Sequence, residues 1–173
     1  MDAERLITIS RSELARSGTA LDVMMAAWQA QAVAQAIGSR LALHGPPELR
    51  GEARVLAETG ARSGAGFDQA AQRAGARAAQ LTEVGELRDT LLALSALLGE
   101  VGIALVGVAC ATDEEALYWQ CIEAIDAADE SSDRVRVMLR RLTVRDRARP
   151  PGPARDRPLR TEMADPADSA AGS

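Results

Sequence analysis

The chain has 173 residues and a net charge of −5, with Phe and Tyr once each and Trp twice. This length suffices for one domain with a substantial core. Because aromatics are scarce, that core must be built from Leu, Val, Ile, Met and Ala, and Ala favours helix over strand. Two cysteines are too few for a disulfide scaffold. The opening sequence MDAER has neither the basic nor the apolar segment of a signal peptide, so we expect an all-α cytoplasmic protein.

Two helices are predicted at the start of the chain, over residues 2–17 and 20–43. Thr19 can cap the second helix, and Gly45 followed by two prolines ends it, with Gly45 suited to a left-handed cap. The second helix is apolar around much of its circumference. One set of apolar residues marks the main predicted stripe and another widens it: Leu21, Met25, Trp28, Ala32, Ala36 and Leu43 in the first, and Val23, Ala27, Ala30, Ala34, Ile37 and Leu41 in the second.

Two weaker helices are predicted over residues 47–61 and 67–80, with a hinge at 63–66. Gly51, Gly60 and Gly75 each weaken these helices by about 1 kcal/mol relative to Ala. Small residues along their faces allow close helix packing. We therefore expect this pair to pack tightly and to be the least stable part of the protein.

Residues 81–111 predict a long central helix. Its apolar positions alternate in steps of three and four, which places them on one helical stripe: Val84, Leu87, Leu91, Leu94, Leu98, Val101, Leu105 and Val108. Residues 91–111 are long enough to cross a bilayer. However, they contain Glu100, which would cost about 2.5–3.5 kcal/mol near mid-span, and no Arg cluster flanks them. We therefore interpret the segment as the core helix of a soluble bundle, with Glu100 on the face opposite the stripe.

The last predicted helix starts at a capping box, Thr112-Asp113-Glu114-Glu115. The polar run 129–133 leaves open whether one helix or two follow. The charge is divided sharply, since residues 113–133 hold eight acids and no Arg, whereas 134–149 hold seven Arg and one acid. This division can simply complement the helix macrodipole.

Two functional readings of the charge-divided helix stay open. It could pair antiparallel with a second copy, acid against Arg, to form a homodimer. Alternatively, basic residues within 134–149 could bind an anionic partner or a membrane surface; nucleic acid is not favoured, because the chain has no helix-turn-helix signal and no interleaved aromatics. The candidate partner-binding residues are Arg134, Arg136, Arg140, Arg141, Arg145 and Arg147.

No catalytic, cofactor or metal site is predicted. His44, the single histidine, lies at a helix end with no catalytic motif around it. No Glu-x-x-His pair is present for a di-iron site, and Cys110, Cys121 and His44 are too few for structural zinc. We expect both cysteines to be reduced core thiols, too far apart in height to form a bridge.

Trp28, Trp119 and Tyr118 are most of the aromatic supply, and core anchoring is the simplest role for them. The alternative is an apolar pocket near Trp28 or Trp119 for a small ligand.

The sequence therefore predicts an antiparallel bundle of five to six helices around the central helix, as one domain over residues 1–148. The Pro-, Arg- and Asp-rich segment 149–173 has little to bury and is predicted to be a disordered tail. We expect a non-enzymatic interaction or regulatory protein that associates with itself through the charge-divided helix. The small-ligand pocket is the alternative.

All 20 basic residues are Arg, as is typical of a GC-rich genome. With the stretch WQAQAVAQAIGSRLALHGPPE and the helical composition, the chain resembles small actinobacterial proteins that consist of a domain of unknown function, over residues 1–145. The resemblance implies a cytoplasmic helical protein and assigns no functional residues.

Overall fold

The structure, a computed structural model, describes residues 1–63 and 75–148. Within these residues every regular element is helical, apart from one isolated bridge between Asp2 and Glu83. This confirms the predicted all-α class. The elements are α1 (Ala3–Ala15), α2 (Ala20–His44), a short 3₁₀ turn (Pro47–Leu49), α3 (Arg50–Ser63), α4 (Leu87–Ala111) and α5 (Glu115–Ala148). Of the helix predicted at 67–80, residues 75–78 are helical and 67–74 lie outside the described residues, as do the predicted tail and most of the hinge.

The start of α2 is fixed by a capping box. The backbone N–H of Asp22 donates to the Thr19 hydroxyl at 3.1 Å, and the N–H of Thr19 donates to the Asp22 carboxylate at 3.0 Å. These bonds satisfy amides that the helix leaves unpaired. Hydrogen bonding to the Thr19 side chain, and then to the backbone N–H groups of Gly18 and Thr19, lowers the pKa of the Asp22 carboxyl. The predicted cap at Thr19 is confirmed.

The end of α2 differs from the prediction. Gly45 is extended, with φ −74° and ψ 171°, and is not left-handed. Its N–H donates to the carbonyl oxygen of Leu41 at 2.9 Å, and a Cβ at Gly45 would collide with that same oxygen. Glycine is therefore required here by close contact and not by a positive φ.

The helix α4 begins at Leu87, six residues after the predicted start. The preceding segment instead binds the N-terminal residues: the N–H of Thr82 donates to the Met1 carbonyl at 3.0 Å, and the N–H of Ala3 donates to the Glu83 carbonyl at 3.1 Å. The guanidinium of Arg40 also donates to the Thr82 carbonyl. These long-range bonds satisfy the backbone that the apolar spacing had assigned to a helix.

The capping box predicted at 112–115 does not form. Thr112 is extended and closes α4, since its N–H donates to the Val108 carbonyl at 3.0 Å. Its hydroxyl accepts from the N–H of Glu114, two residues on, at 3.1 Å, and α5 begins only at Glu115. From there α5 runs unbroken to Ala148, with Ser131 buried inside the polar run, which settles that residues 115–148 form one helix.

The core lies around α2, which packs against α1, α3, α4 and α5. Its buried side is the set predicted to widen the stripe, including Ala30, Ala34 and Ile37, whereas Leu21 and Leu43 of the predicted main stripe are exposed. The stripe predicted on α4 is confirmed, since its middle residues are buried and its ends half-buried. The helix α3 packs on α2 and α5.

Candidate interaction surfaces

The outer face of α4 is apolar and exposed. Its exposed residues recur in steps of four and three, which places them on one stripe, directly opposite buried Val101: Leu92, Ala96, Gly99, Ile103, Val106 and Cys110. Ile103 is 77% exposed and Leu92 51%. From Leu92 to Cys110 the stripe is about 27 Å long at 1.5 Å per residue. We refer to these six residues as the outer stripe.

The outer stripe carries no charge. Between Thr90 and Thr112 the only charged residue is Glu100, which lies at the edge of the stripe and binds Arg11 of α1. The Arg11 Nε donates to Glu100 Oε2 at 3.0 Å, and a second guanidinium nitrogen donates to Oε1. The pair raises the pKa of Arg11. The one carboxylate of this helix segment is therefore turned towards α1.

Three glycines of α4 have open surroundings. A Cβ added at Gly99, Gly102 or Gly107 would meet no atom within 4 Å. Each costs the helix about 1 kcal/mol relative to Ala. The packing of the described residues therefore gives no reason for glycine at these positions.

By length and composition, α4 is the one helix among residues 1–63 and 75–148 that could cross a membrane. Of its most apolar 18-residue stretch, 33% is buried within the protein. The core helix of a soluble protein satisfies the same criterion.

The two cysteines occupy different surroundings. Both are free thiols, as predicted. Cys121 is buried, with its Sγ 3.8 Å from the Sδ of Met24, and burial raises its pKa. Cys110 is exposed, so its prediction as a core thiol is wrong, because its helical phase places it on the outer stripe.

Three of the candidate partner-binding arginines bind acids near the start of α3. Glu52 accepts from Arg134 at 3.4 Å and from Arg141 at 2.7 Å, and Glu48 accepts from Arg145 at 3.3 Å. Glu48 and Glu52 are one helical turn apart, which matches the spacing of the arginines along α5. The basic half of α5 therefore holds the 3₁₀ turn and α3 through ion pairs. A search of the sequence for acids spaced like these arginines could have suggested this role.

The other three candidate arginines are more exposed. Arg136 pairs with Asp133 of the previous turn at 2.8 Å. Arg140 and Arg147 are exposed and make no ion pair with any residue in 1–63 or 75–148. The predicted anion-binding set is thus spread over two faces of α5, with only these two cations unengaged. Its role in partner binding stays a prediction.

A cleft of about 390 Å³ lies between α2, α3 and α5. Trp28, 9% exposed, lines it together with Gln31 and with three acids of α5, Glu123, Asp126 and Glu130. Arg62 of α3 also lines the cleft and binds Glu130 at 3.1 Å. The side-chain Oε1 of Gln31 accepts from the Ser131 hydroxyl at 3.0 Å, whereas its buried Nε2 has no hydrogen-bond partner among the described residues. The pocket near Trp28 is therefore acidic on one side and not apolar throughout.

Trp119 does not line that cleft. It is 56% exposed and packs edge-to-face on Tyr118, with ring centroids 5.4 Å apart. Trp119 is also absent from the lining of two further clefts, one beside His44 and one beside Thr19, so the predicted pocket near Trp119 stays a prediction.

Little in the described ranges points to catalysis or metal binding. His44 is exposed at the last residue of α2. No three His, Cys, Asp or Glu side chains among residues 1–63 and 75–148 are grouped so as to hold a metal ion.

Comparison with known proteins gives a family and no function. No curated protein and no solved structure matches the chain. A family model described as a family of unknown function, DUF6099, matches residues 1–141, which covers every described helix except the last two turns of α5. The chain therefore belongs to the DUF6099 family.

Proposed function

We propose that this protein is a non-enzymatic interaction module of the cytoplasm that binds another protein through the outer stripe of α4. The observation that carries the proposal is a charge-free apolar stripe of six residues, about five helical turns long, on the surface of an otherwise charged bundle. Contiguous apolar patches on soluble proteins mark interaction sites. Isolated exposed apolar residues do not.

The energetics favour an occupant for this face. Fully burying a Val, Leu or Ile side chain contributes about 1.5–3 kcal/mol. The stripe offers Leu92 at one end and, about three turns further on, Ile103 and Val106 in adjacent turns. The single carboxylate of the segment is held by Arg11 at the edge. A partner can therefore cover the stripe without burying an unpaired charge, which would otherwise oppose binding.

The basic half of α5 is a less favourable site for the interaction than the outer stripe. Arg134, Arg141 and Arg145 are engaged by acids of their own chain. A dimer that pairs the acidic and basic halves of two α5 helices would have to break these bonds first. We therefore place the interaction on α4 and not on the charge-divided helix.

A photo-crosslinking residue at position 103, in full-length protein expressed in its natural host, tests the proposal. We expect ultraviolet light to yield a discrete protein adduct, identified by mass spectrometry, with either another protein or a second copy. The matched control carries the same residue at Val144, which is 66% exposed on α5, and should give no such adduct. Adducts at 103 with lipid alone, or none, would contradict the proposal.

A second candidate function is favoured by the cleft at Trp28. Glu130 is paired with Arg62, but Glu123 and Asp126 make no ion pair with another described residue. These two acids and the unpartnered side-chain nitrogen of Gln31 suit a small organic cation that also carries a hydrogen-bond acceptor. If so, a compound should co-purify with the protein and be identified by mass spectrometry after denaturation. Ala127→Phe, which would fill the cleft, should abolish its recovery, and equal recovery from both proteins would exclude this site.

A further inference from the structure

We propose that the partner of the outer stripe is a second copy of this chain, with the two α4 helices packed antiparallel about a two-fold axis at the level of Val101. This inference rests on the proposed interaction through α4. It adds the identity of the partner, the direction of the helices and their register.

The register follows from side-chain size along the stripe. In an antiparallel pair centred on residue 101, Ile103 of one copy lies opposite Gly99 of the other, since both are two residues from the centre. Val106 lies opposite Ala96 and Leu92 opposite Cys110, at five and nine residues from it. Each large side chain therefore meets a small one, and two-fold symmetry repeats every contact.

A parallel pair would lack this fit. There Ile103 would face Ile103 and Gly99 would face Gly99, so that crowding and voids would alternate along the helices. Because protein interfaces pack as densely as interiors, such a mismatch is unfavourable. The antiparallel register fills the space over Gly99, where no atom of the described residues lies within 4 Å of a Cβ position.

The chain's own remaining segments are poor alternatives as occupants. Residues 149–173 contain eight charged residues, five prolines and only Leu159 and Met163 as large apolar side chains. Residues 64–74 offer Phe67 alone. Neither composition can cover a charge-free stripe of five helical turns, whereas a second α4 matches it along its whole length.

The size of the stripe sets the expected affinity. With a length of about 27 Å and a helix diameter of about 10 Å, each partner offers a footprint on the order of 300 Å². Even though projecting side chains add to this area, the footprint falls below the roughly 800 Å² per partner of a standard interface. We therefore expect a reversible dimer whose population depends on protein concentration.

Sedimentation equilibrium of the full-length protein over a hundredfold concentration range tests for this dimer. We expect a monomer–dimer equilibrium in the wild type, and Ile103→Glu should raise the dimer Kd by at least about 30-fold, because burying an unpaired charge costs roughly 2 kcal/mol or more. Val144→Glu is the control and should leave the Kd unchanged. A wild type that is monomeric throughout, or a dimer insensitive to Ile103→Glu, would overturn the inference.

Size exchange tests the register. Gly99→Ile should abolish the dimer, and the double variant Gly99→Ile with Ile103→Ala should restore it, because the large residue and the small one have traded places across the axis. Both variants keep the monomer fold, which circular dichroism verifies. Failure of the double variant to dimerise would contradict the register.

A short bis-maleimide tests the direction of the helices. Leu92→Cys should be cross-linked to Cys110 of the second copy, whereas the wild type, with Cys110 as its only accessible thiol, should stay uncross-linked. Cross-linking of the wild type through Cys110 alone would indicate a parallel pair and overturn the inference.

The two proposals fail separately. A purified chain that is monomeric, while the residue at 103 captures one identified different protein in the host, would overturn the homodimer and leave the interaction proposal standing. Co-sedimentation of the wild type, but not Ile103→Glu, with anionic phosphatidylglycerol vesicles, in the absence of any protein adduct, would overturn both.

Discussion

Glycines lie at two helix surfaces of this protein, and their surroundings are opposite. Where α2 crosses α3, a Cβ at Gly38 would lie 2.7 Å from the carbonyl oxygen of Ala53, and a Cβ at Gly60 would lie 2.7 Å from that of Gln31. On the outer side of α4, a Cβ at Gly99 would meet nothing within 4 Å. The first surface is an internal contact already closed backbone to backbone, and the second is open.

The difference shows that the role of a glycine in a helix can be judged only when the atoms that surround it are known. At the α2–α3 contact, glycine lowers helix propensity by about 1 kcal/mol but permits a close approach that larger residues would prevent. At Gly99 the same cost has no compensation within the described residues. We explain that cost by the second copy, whose Ile103 would occupy the open space.

The largest expected effect on the unfolding free energy is at the contact between α2 and α3. Gly38→Ala would place a methyl group against backbone atoms that cannot move singly, and overpacking of this kind costs about 1–3 kcal/mol or more. We expect a loss of unfolding free energy at the upper end of that range in urea titrations. Gly51→Ala is the control, because a Cβ there meets nothing within 4 Å, and it should be neutral or stabilising. Equal effects of both changes would show that α2 and α3 do not approach as described.

The ion pairs that hold α3 to α5 come next. Glu52, whose side chain is 16% exposed, binds both Arg134 and Arg141. Glu52→Gln should lower the unfolding free energy by about 1 kcal/mol, because it weakens two charged hydrogen bonds that water screens only in part. Glu58→Gln, at an exposed position of the same helix, should change little. If Glu52→Gln were equally harmless, these arginines would be free for a partner, and the charge-divided helix would regain its predicted role.

On the outer stripe of α4 we expect the opposite effect, so that replacing a glycine stabilises the monomer. In the Ile103→Glu background, where the chain is expected to be monomeric, Gly99→Ala should raise the unfolding free energy by about 0.5–1 kcal/mol through helix propensity. In the background with native Ile103 the same change should weaken dimerisation. A destabilised monomer would mean that Gly99 is needed by its own chain, and the contrast between the two sets of glycines would disappear.

The smallest expected effect concerns pH. The hydrogen bond from Arg88, at 2.7 Å, lowers the pKa of Asp146, so the folded state binds fewer protons at this carboxylate than the unfolded state. The resulting stabilisation is present above the unfolded pKa of about 3.9 and is lost as pH falls through the lower folded value. Asp146→Asn should therefore destabilise the protein at pH 6 and have less effect at pH 2. A difference that is constant between these pH values would contradict the pairing.

The sequence was sufficient to predict those features that depend only on residues close together in the chain. The stripe from Leu91 to Leu105 was predictable because α4 has a regular spacing, and Thr19 because a cap depends on its own next three residues. The phase of α2 was not predictable, since apolar residues surround it and only its neighbours decide that Ile37 is buried and Leu21 exposed. The start of α4 was missed because the preceding residues bind Met1 and Ala3, about 80 positions away.

The candidate surface was predictable only in part. The apolar composition of residues 91–111 is evident in the sequence, and it led to the interpretation of this segment as the core helix of a soluble bundle. Of the helices that the structure describes, α1, α2 and α5 pack against one side of α4, and Ile103 on the other side is exposed. Pairing of Arg141 with Glu52 joins positions 89 apart, so the charge division alone could not distinguish an internal partner from an external one.

Pulsed electron paramagnetic resonance on the wild type, spin-labelled at its one accessible thiol, tests the proposed dimer most directly. In the antiparallel register the two Cys110 residues lie at opposite ends of the paired stripes, so the account predicts an inter-spin distance near 30 Å, set by the about 27 Å length of the stripe. Absence of any dipolar coupling at high concentration, or a distance of about 10 Å as in a parallel helix pair, would contradict it.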